Sequence, residues 1–260
     1  MAISWALKRQ LTYLGGLLGV IAVIAFIYFL PTITKKPTCF DGAQNGAEAG
    51  VDCGGDCLKY CPFQVNGLTA VWRRSYMVAP NIYNAVAYVE NQNISAGIPK
   101  ISYEFSLYDE NNVFIAKREG ETYVGPNART AVFEPGINVG NRIPKYTTFK
   151  FVGEPDWYKV SAQAGGIKLL FREQELVQDR DDPRLTVVIQ NDSSYDLDNV
   201  EVVAILYNKD DNAIAASKTL IEKLDKGSDR QLFFSWPTRF AETVSRIELI
   251  PRYDVFSIRS

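Results

Sequence analysis

The sequence contains no histidine. Histidine is the commonest general base near neutral pH and the commonest ligand of transition metals, so its absence argues against both kinds of chemistry. No glycine-rich phosphate loop opens a helix, and no serine or lysine stands in the pattern of a nucleophile elbow. We therefore expect a protein that is not an enzyme, with no catalytic residues and no organic cofactor. A hydrolytic enzyme is the least favoured alternative.

An excess of charge of one sign is also lacking. The chain has 28 lysines and arginines against 30 aspartates and glutamates, which gives a net charge of -2. A nucleic-acid-binding domain or a polybasic membrane tail would need a basic excess. We therefore expect no nucleic-acid partner.

Cysteine is scarce and confined to one segment, where it occupies positions Cys39, Cys53, Cys57 and Cys61. Few apolar residues lie between these cysteines, so the segment cannot bury a core, and two disulfides would supply the missing constraint. Clustered cysteines of this kind are typical of an oxidising compartment. The spacing leaves three pairings open. A zinc site made of four thiolates is the alternative, although it would lack the usual C-x2-C pairs.

Residues 11–30 carry no charged side chain. Twenty residues form about 30 Å of helix, which matches the hydrocarbon thickness of a bilayer, and Pro31 is expected to end the helix. No small-x-small cleavage site follows, which favours an uncleaved signal anchor over a signal peptide. Gly15 and Gly19 form a G-x-x-x-G pair that would let two helices approach closely, although glycine is also frequent in membrane helices in general.

The orientation of this span depends on the cysteines. Lys8 and Arg9 precede the span and Lys35 and Lys36 follow it, so the positive-inside rule does not decide. The cysteine-rich segment belongs on the oxidising side. We therefore expect residues 1–10 in the cytoplasm, a single transmembrane span over 11–30, a linker over 31–38 and an extracytoplasmic bulk at the cell membrane.

Four residues of the cysteine-rich module, 39–64, are candidate calcium ligands: Asp41, Asn45, Glu48 and Asp52. They are hard oxygen donors in a glycine-containing loop, the composition that calcium loops use. Their spacing does not fit an EF-hand. The alternative is a solvated, turn-rich loop whose Asp and Asn side chains accept hydrogen bonds from their own backbone.

The same stretch resembles a small repeat of prokaryotic secreted and surface proteins. The resemblance is carried by C-x-D-G-x-x-N-G-x-E-x-G-V-D-C-G-G-x-C over residues 39–57. It implies export and does not imply an activity.

The chain from residue 67 onward repeats itself at an offset of about 100 positions. The aligned blocks are 85–91 with 185–191, 103–112 with 202–211, Trp72 with Phe171, and Phe149 with Ile247. Four blocks in the same order indicate a tandem duplication with its junction at Gly165 and Gly166. We name residues 65–165 repeat 1 and residues 166–260 repeat 2.

Both repeats have the pattern of β-strands. ISYEFSLY, residues 101–108, alternates apolar and polar residues, and its partner VEVVAILY, residues 200–207, keeps an apolar side. Turns rich in Asp and Asn follow both, which predicts hairpins. The fold class is therefore mainly β, with two tandem immunoglobulin-like antiparallel β-sandwiches. Residues 134–145 are expected to form the longest loop, either a plain crossover loop, which we favour, or one with contacts specific to repeat 1.

Repeat 1 resembles the FxLYD family of β-sandwich domains from prokaryotic envelope proteins. Phe105, Leu107, Tyr108 and Asp109 carry the resemblance, and repeat 2 departs from it at Ala204 and Asn208. The resemblance implies extracytoplasmic binding or spacer modules with no catalytic residues.

These observations predict a membrane-anchored protein with a non-catalytic binding, adhesion or spacer role on the cell surface, toward an unidentified protein or surface polymer. The alternative is the ectodomain subunit of a membrane complex of the envelope or secretion machinery. Stacked end to end, the two domains would extend about 80 to 100 Å.

Overall fold

The computed structural model of the chain describes residues 4–34, 36–160, 166–179 and 181–257, without the side chains of 31–34. Lys35 and Gly165, which the sequence analysis used for the orientation and for the repeat junction, lie outside the described residues. Contacts divide the chain into two units, 1–56 and 57–260. Each unit is described by itself.

The first unit contains one long helix, α1, Trp5–Thr34. Its apolar part, Trp5–Leu30, is 26 residues long, and its most apolar stretch buries no residue against the described chain. The expected end at Pro31 is wrong, because the helix continues for one more turn. Proline removes only the hydrogen bond that its own N–H would donate, so the residues after it can keep theirs.

The second unit consists of β-strands in antiparallel sheets, as predicted. In chain order the described strands are β1 Thr69–Ala79, β2 Ile82–Glu90, β3 Ala96–Tyr108, β4 Phe114–Val124, β5 Arg129–Asn138, β6 Tyr146–Val152, β7 Tyr158–Lys159, β8 Leu169–Val177, β9 Arg184–Asn191, β10 Leu197–Tyr207, β11 Ala213–Leu224, β12 Asp229–Ser235 and β13 Arg246–Arg252. They form four sheets: β1-β2-β5 and β4-β3-β6 in repeat 1, with β7 beside β3, and β12-β9-β8 and β11-β10-β13 in repeat 2.

Each repeat is a sandwich with its own core. In repeat 1 the predicted inward residues of β3, among them Phe105 and Leu107, pack against Ala87 and Val89 of β2. In repeat 2 Leu185 and Val187 of β9 pack against Val202 and Leu206 of β10 in the same way. The period-two pattern predicts these faces because alternate side chains of a strand point to opposite sides of the sheet.

The hairpins after β3 and β10 are stabilised in the same way, by a side-chain oxygen that accepts backbone hydrogen bonds within the turn. Oδ1 of Asp109 accepts hydrogen bonds from the amides of Asn111 and Val113 at 3.0 and 2.9 Å. Oδ1 of Asn208 accepts from Asp210 and Asn212 at 3.0 and 2.9 Å. The departure of repeat 2 from the sequence pattern therefore leaves the turn unchanged, because Asp and Asn both present this acceptor.

A buried asparagine at the end of β2 and of β9 is a second shared device. Nδ2 of Asn91 donates to the carbonyls of Ala96 and Gly125 at 2.8 and 2.7 Å. Nδ2 of Asn191 donates to Tyr195 and Leu224 at 2.8 and 3.1 Å. Each side chain donates to two backbone carbonyls, so it ties the strand end to the neighbouring loop.

Strand pairing corrects the outer blocks of the repeat alignment. Trp72 pairs with Tyr88 and Arg172 with Val188, so Arg172, and not Phe171, is the equivalent of Trp72. A β-bulge after Ala70 shifts the register here. Phe149 is the equivalent of Leu249, and not of Ile247. The slip at Phe149 is of two residues and keeps every side chain on its face, so the apolar pattern could not detect it. The slip at Trp72 is of one residue and comes from the bulge, which the pattern does not show.

The expected loop over 134–145 is partly wrong. Strand β5 continues to Asn138, and a register shift between the Tyr83 and Ala85 pairs accommodates Pro135 and Gly136. The amide of Gly136 donates to Oδ1 of Asn84 at 3.0 Å. Proline has no N–H to donate to the neighbouring strand, but it is tolerated at a β-bulge. The proline and glycine made this part of the strand look like a loop in the sequence.

The two sandwiches pack face to face. The outer side of the β1-β2-β5 sheet covers the outer side of the β11-β10-β13 sheet, and a third apolar cluster lies between them, with Val86, Tyr88 and Phe133 from repeat 1 and Val203 and Ile205 from repeat 2. The end-to-end arrangement is therefore wrong. Pairing by faces removes apolar surface of both repeats from water.

The sequence difference between the repeats matches this burial. The β3-β4 and β10-β11 hairpins make Glu104 the equivalent of Val203, and Ser106 the equivalent of Ile205. Repeat 2 has apolar residues where its sheet is covered. Repeat 1 has polar residues on the same face, and Glu104 there contacts Lys150 at 3.0 Å and Lys117 at 3.5 Å.

Exchanging these equivalent residues should have opposite consequences. Val203→Glu places a carboxylate in the apolar cluster, so we expect the free energy of unfolding to fall by about 3 kcal/mol or more. Glu104→Val, the matched control on the free face, should change it by less than about 1 kcal/mol. Urea unfolding of the purified chain in detergent measures both. Similar small losses for the two variants would contradict face-to-face packing.

Candidate functional site

The four candidate calcium ligands lie in one loop of the first unit, where they cap the backbone. Oδ1 of Asp52 accepts from the amides of Asp41 and Gly42 at 2.9 and 3.1 Å. Oδ2 of Asp41 accepts from Nδ2 of Asn45 at 2.9 Å. Oε2 of Glu48 accepts from the amide of Asn45 at 3.2 Å. The structure therefore brings these side chains together.

These contacts are those of the turn-rich loop that was the alternative to calcium. The carboxylates stabilise the loop by accepting backbone N–H groups. Oδ1 of Asn45 is a buried acceptor that receives no hydrogen bond within the described residues. Calcium binding by Asp41, Asn45, Glu48 and Asp52 stays a prediction.

All four cysteines are in disulfides, and none is free. Cys57 and Cys61 are almost fully buried. The zinc alternative needs thiolates, which a disulfide does not provide. This segment has too few apolar residues for a hydrophobic core, so disulfide bonds hold it together instead.

In the second unit, Arg252 of β13 is a buried charged residue at the contact between the sandwiches. Its side chain is only 7% exposed, and its guanidinium contacts Glu201 at 2.8 Å. The other side of the guanidinium donates to Thr122 of β4 and stacks over the Tyr123 ring, 5.2 Å from its centroid. Arg252 thus ties β13 of repeat 2 to β4 of repeat 1.

Two clefts open beside Arg252. The first, which we name the acidic cleft, has a volume of about 430 Å³ and is lined by Tyr103, Glu134, Glu201, Lys218 and Arg252, among others. Burial raises the pKa of the Glu134 carboxyl above its ordinary value, and a hydrogen bond from the Tyr103 hydroxyl acts in the opposite direction. Glu201 accepts from Lys218 at 2.6 Å as well as from Arg252.

The second, which we name the donor cleft, has a volume of about 340 Å³. Its polar lining residues are Tyr123, Asn127, Arg129, Thr130, Arg252 and Tyr253, and no Asp or Glu is among its described lining residues. Phenols have an ordinary pKa of about 10 and keep their protons at neutral pH. Burial raises the pKa of Tyr123 to about 12 and also raises that of Tyr253. The cleft therefore offers donors for hydrogen bonds.

A row of three aromatic residues crosses the free face of the β4-β3-β6 sheet. Tyr108 lies between Phe114 and Tyr146 in the strand register. Phe114 and Tyr146 are 52% and 48% exposed. The equivalent positions of repeat 2 hold Ala213 and Arg246 beside Tyr207. We name this row the aromatic strip.

Sequence reasoning missed the clefts and the face-to-face contact. A signal for the contact was present, because AVAYV at 85–89 and VVAILY at 202–207 are continuous apolar runs and every one of their residues is buried. Such runs are typical of strands covered on both faces. The residues of the clefts lie on strands far apart in the sequence, and no local pattern joins them.

No family model matches the chain, and the search of curated proteins found no significant match. The resemblances to FxLYD domains and to the cysteine-and-glycine repeat stay predictions.

The raised pKa of Glu134 predicts a pH dependence of stability. The folded state holds this proton more tightly than the unfolded state, so the free energy of unfolding should fall as pH rises from about 4.3 through the raised value. Glu134→Gln should therefore be more stable than the parent at neutral pH, and the difference should vanish in acid. Thermal unfolding at several pH values measures it.

Glu119→Gln is the control for loss of one negative charge, because Glu119 is 62% exposed and paired with Lys117. It should change stability by about 0.5 kcal/mol or less. An equal gain in both variants would attribute the effect to net charge and not to burial of Glu134.

Proposed function

We propose that this chain is a single-pass, membrane-anchored extracytoplasmic protein with a non-catalytic binding role on the cell surface. One observation carries the proposal: an exposed apolar helix of 26 residues, Trp5–Leu30, stands at the N-terminal end of the described chain, ahead of a disulfide-bonded segment. A helix that is apolar all round needs lipid as its surrounding. Disulfides persist on the oxidising side of the membrane.

The aromatic strip supports binding over a purely spacing role. Where repeat 2 has Ala213 and Arg246, repeat 1 has Phe114 and Tyr146 in contact with water. Exposed aromatic side chains on a rigid sheet supply contact area at low entropic cost, and they are enriched where proteins bind partners. A protein or a surface polymer fits such a surface.

The hydrolytic alternative has less support. The acidic cleft does bring Glu134 and Glu201 to one opening. Glu201, however, is held by Lys218 and Arg252, which is the arrangement of a structural ion pair between strands. Hydrolysis by a pair of carboxylates uses both of them, one as the acid and the other as the base or nucleophile, and Glu201 is not free for the second role.

Labelling of lysines on intact cells tests the topology. Lys226 lies exposed in the turn between β11 and β12, so a membrane-impermeant amine reagent should modify it on intact cells that express the chain. Lys8, before the span, should react only after lysis, and mass mapping separates the two sites. Modification of Lys226 only after lysis would reverse the proposed orientation.

A charge in the helix tests the anchor. Val20→Arg costs about 2.5 to 3.5 kcal/mol at the centre of a span, so a larger share of the chain should leave the membrane fraction on carbonate extraction. Val20→Leu, at the same site, should stay in the membrane. Equal retention of both variants would show that α1 is not what holds the chain there.

The second candidate, a subunit of a membrane complex, is favoured by the open glycine face of α1. Nothing described lies within 4 Å of a Cβ built on Gly15 or Gly19, so this face is free to meet another helix. Gly15→Leu with Gly19→Leu should reduce crosslinking of the chain to itself or to an integral partner several-fold. Ala25→Leu, on another face, should not. Unchanged crosslinking in the double variant would remove this candidate.

A further inference from the structure

We propose that the donor cleft binds a small organic carboxylate. The inference rests on the binding role proposed above but not on the membrane topology. It assigns a ligand class to a site between the two sandwiches, away from the aromatic strip. The following observations carry it.

The first observation is the burial and the incomplete hydrogen bonding of Arg252. Its side chain is more than nine-tenths buried, and its Nε is a buried donor that has no acceptor within the described residues. Its two terminal nitrogens already donate to Glu201 and to Thr122. A buried guanidinium N–H without an acceptor is rare in folded proteins, so part of the donor capacity of this arginine is unused at a residue that lines the cleft.

The second observation is the balance of charge at the cleft. Arg252 lines both clefts, whereas its partners Glu201 and Lys218 line the acidic cleft. The three side chains together carry one net positive charge. Arg129, at the rim, is 69% exposed and contacts Glu90 only through Nε, at 3.3 Å. Its terminal nitrogens remain available in the described structure. Arginine is well suited to carboxylates because its fork can donate two parallel hydrogen bonds.

The third observation is the turn between β4 and β5. Gly125 and Pro126 line the donor cleft. The equivalent turn of repeat 2 has Asp225 and Lys226, and Asp225 is paired with Lys223. Repeat 1 therefore has no acidic side chain at the position where it would repel an anion at the rim.

The size and the walls of the cleft limit the ligand. A volume of about 340 Å³ is at the lower end of the range for small-molecule sites. The hydroxyls of Tyr123 and Tyr253 can donate to the ligand, and Ile167 and Pro251 provide apolar wall. This fits a carboxylate on a body the size of one sugar or one amino-acid residue. An acidic sugar of a polymer and the C-terminus of a peptide both present this chemistry.

Calorimetric titration of the purified full-length chain in detergent tests the proposal. The probes are glucuronate and N-acetylalanine, and their uncharged counterparts are glucose and N-acetylalanine amide. We expect at least one carboxylate to bind at least tenfold more tightly than its counterpart. Preference for glucuronate would identify an acidic sugar as the source, and preference for N-acetylalanine a peptide end. Equal affinity for charged and uncharged probes, or no binding of either carboxylate, would overturn the proposal.

Variants locate the site. Arg129→Gln, which is exposed and should fold, should weaken carboxylate binding at least fivefold. Arg142→Gln is the matched control, because Arg142 is 53% exposed and lies outside the cleft. Arg252→Lys should also weaken binding, with circular dichroism as the check on folding. Equal carboxylate affinity of Arg129→Gln and the parent would overturn the assignment of the site. That result would leave the proposed membrane topology standing, because the labelling of Lys226 tests the topology separately.

Discussion

The structure of residues 57–260 depends on the burial of a face of repeat 1 against a face of repeat 2 that belongs to the other, non-equivalent sheet of the sandwich. The β1-β2-β5 sheet of repeat 1 meets the β11-β10-β13 sheet of repeat 2, so the contact uses two non-equivalent surfaces of a duplicated domain. This burial makes β2 and β10 fully covered strands. It also brings Arg252 to β4 and thereby creates both clefts.

Duplication preserved the internal devices of the sandwich and changed its surfaces. Asn91 and Asn191 tie the same strand ends, and Asp109 and Asn208 close the same hairpins. The outer face of the β3 sheet is polar and carries the aromatic strip, whereas its equivalent in repeat 2 is apolar and covered. Packing within a sandwich constrains residues tightly, while an exposed face tolerates change and can take on binding.

The N-terminal part of the chain follows a different physical logic. Its helix is apolar on all sides over residues 11–30 and its cysteine-rich segment has few apolar residues, so neither can form a globular core of its own. Lipid would satisfy the first, and disulfides constrain the second. The carboxylates of Asp41, Glu48 and Asp52 organise the loop by accepting backbone amides, a role that does not require a metal and is compatible with one.

The sequence by itself determined the elements that depend on local pattern: the apolar helix, the alternating strands of both repeats, their hairpins and the cysteine-rich segment. It could not determine the end of α1 beyond Pro31, the strand register at Trp72 and Phe149, or the place of Pro135 in a bulge. A proline, a bulge or a slip of two residues is not visible in the apolar pattern. Only the tertiary structure decided that the sandwiches pack by their faces and that Arg252, Tyr123 and Arg129 share a cleft. These residues come from strands far apart in the chain, and their meeting depends on how two complete domains bury their remaining apolar surface.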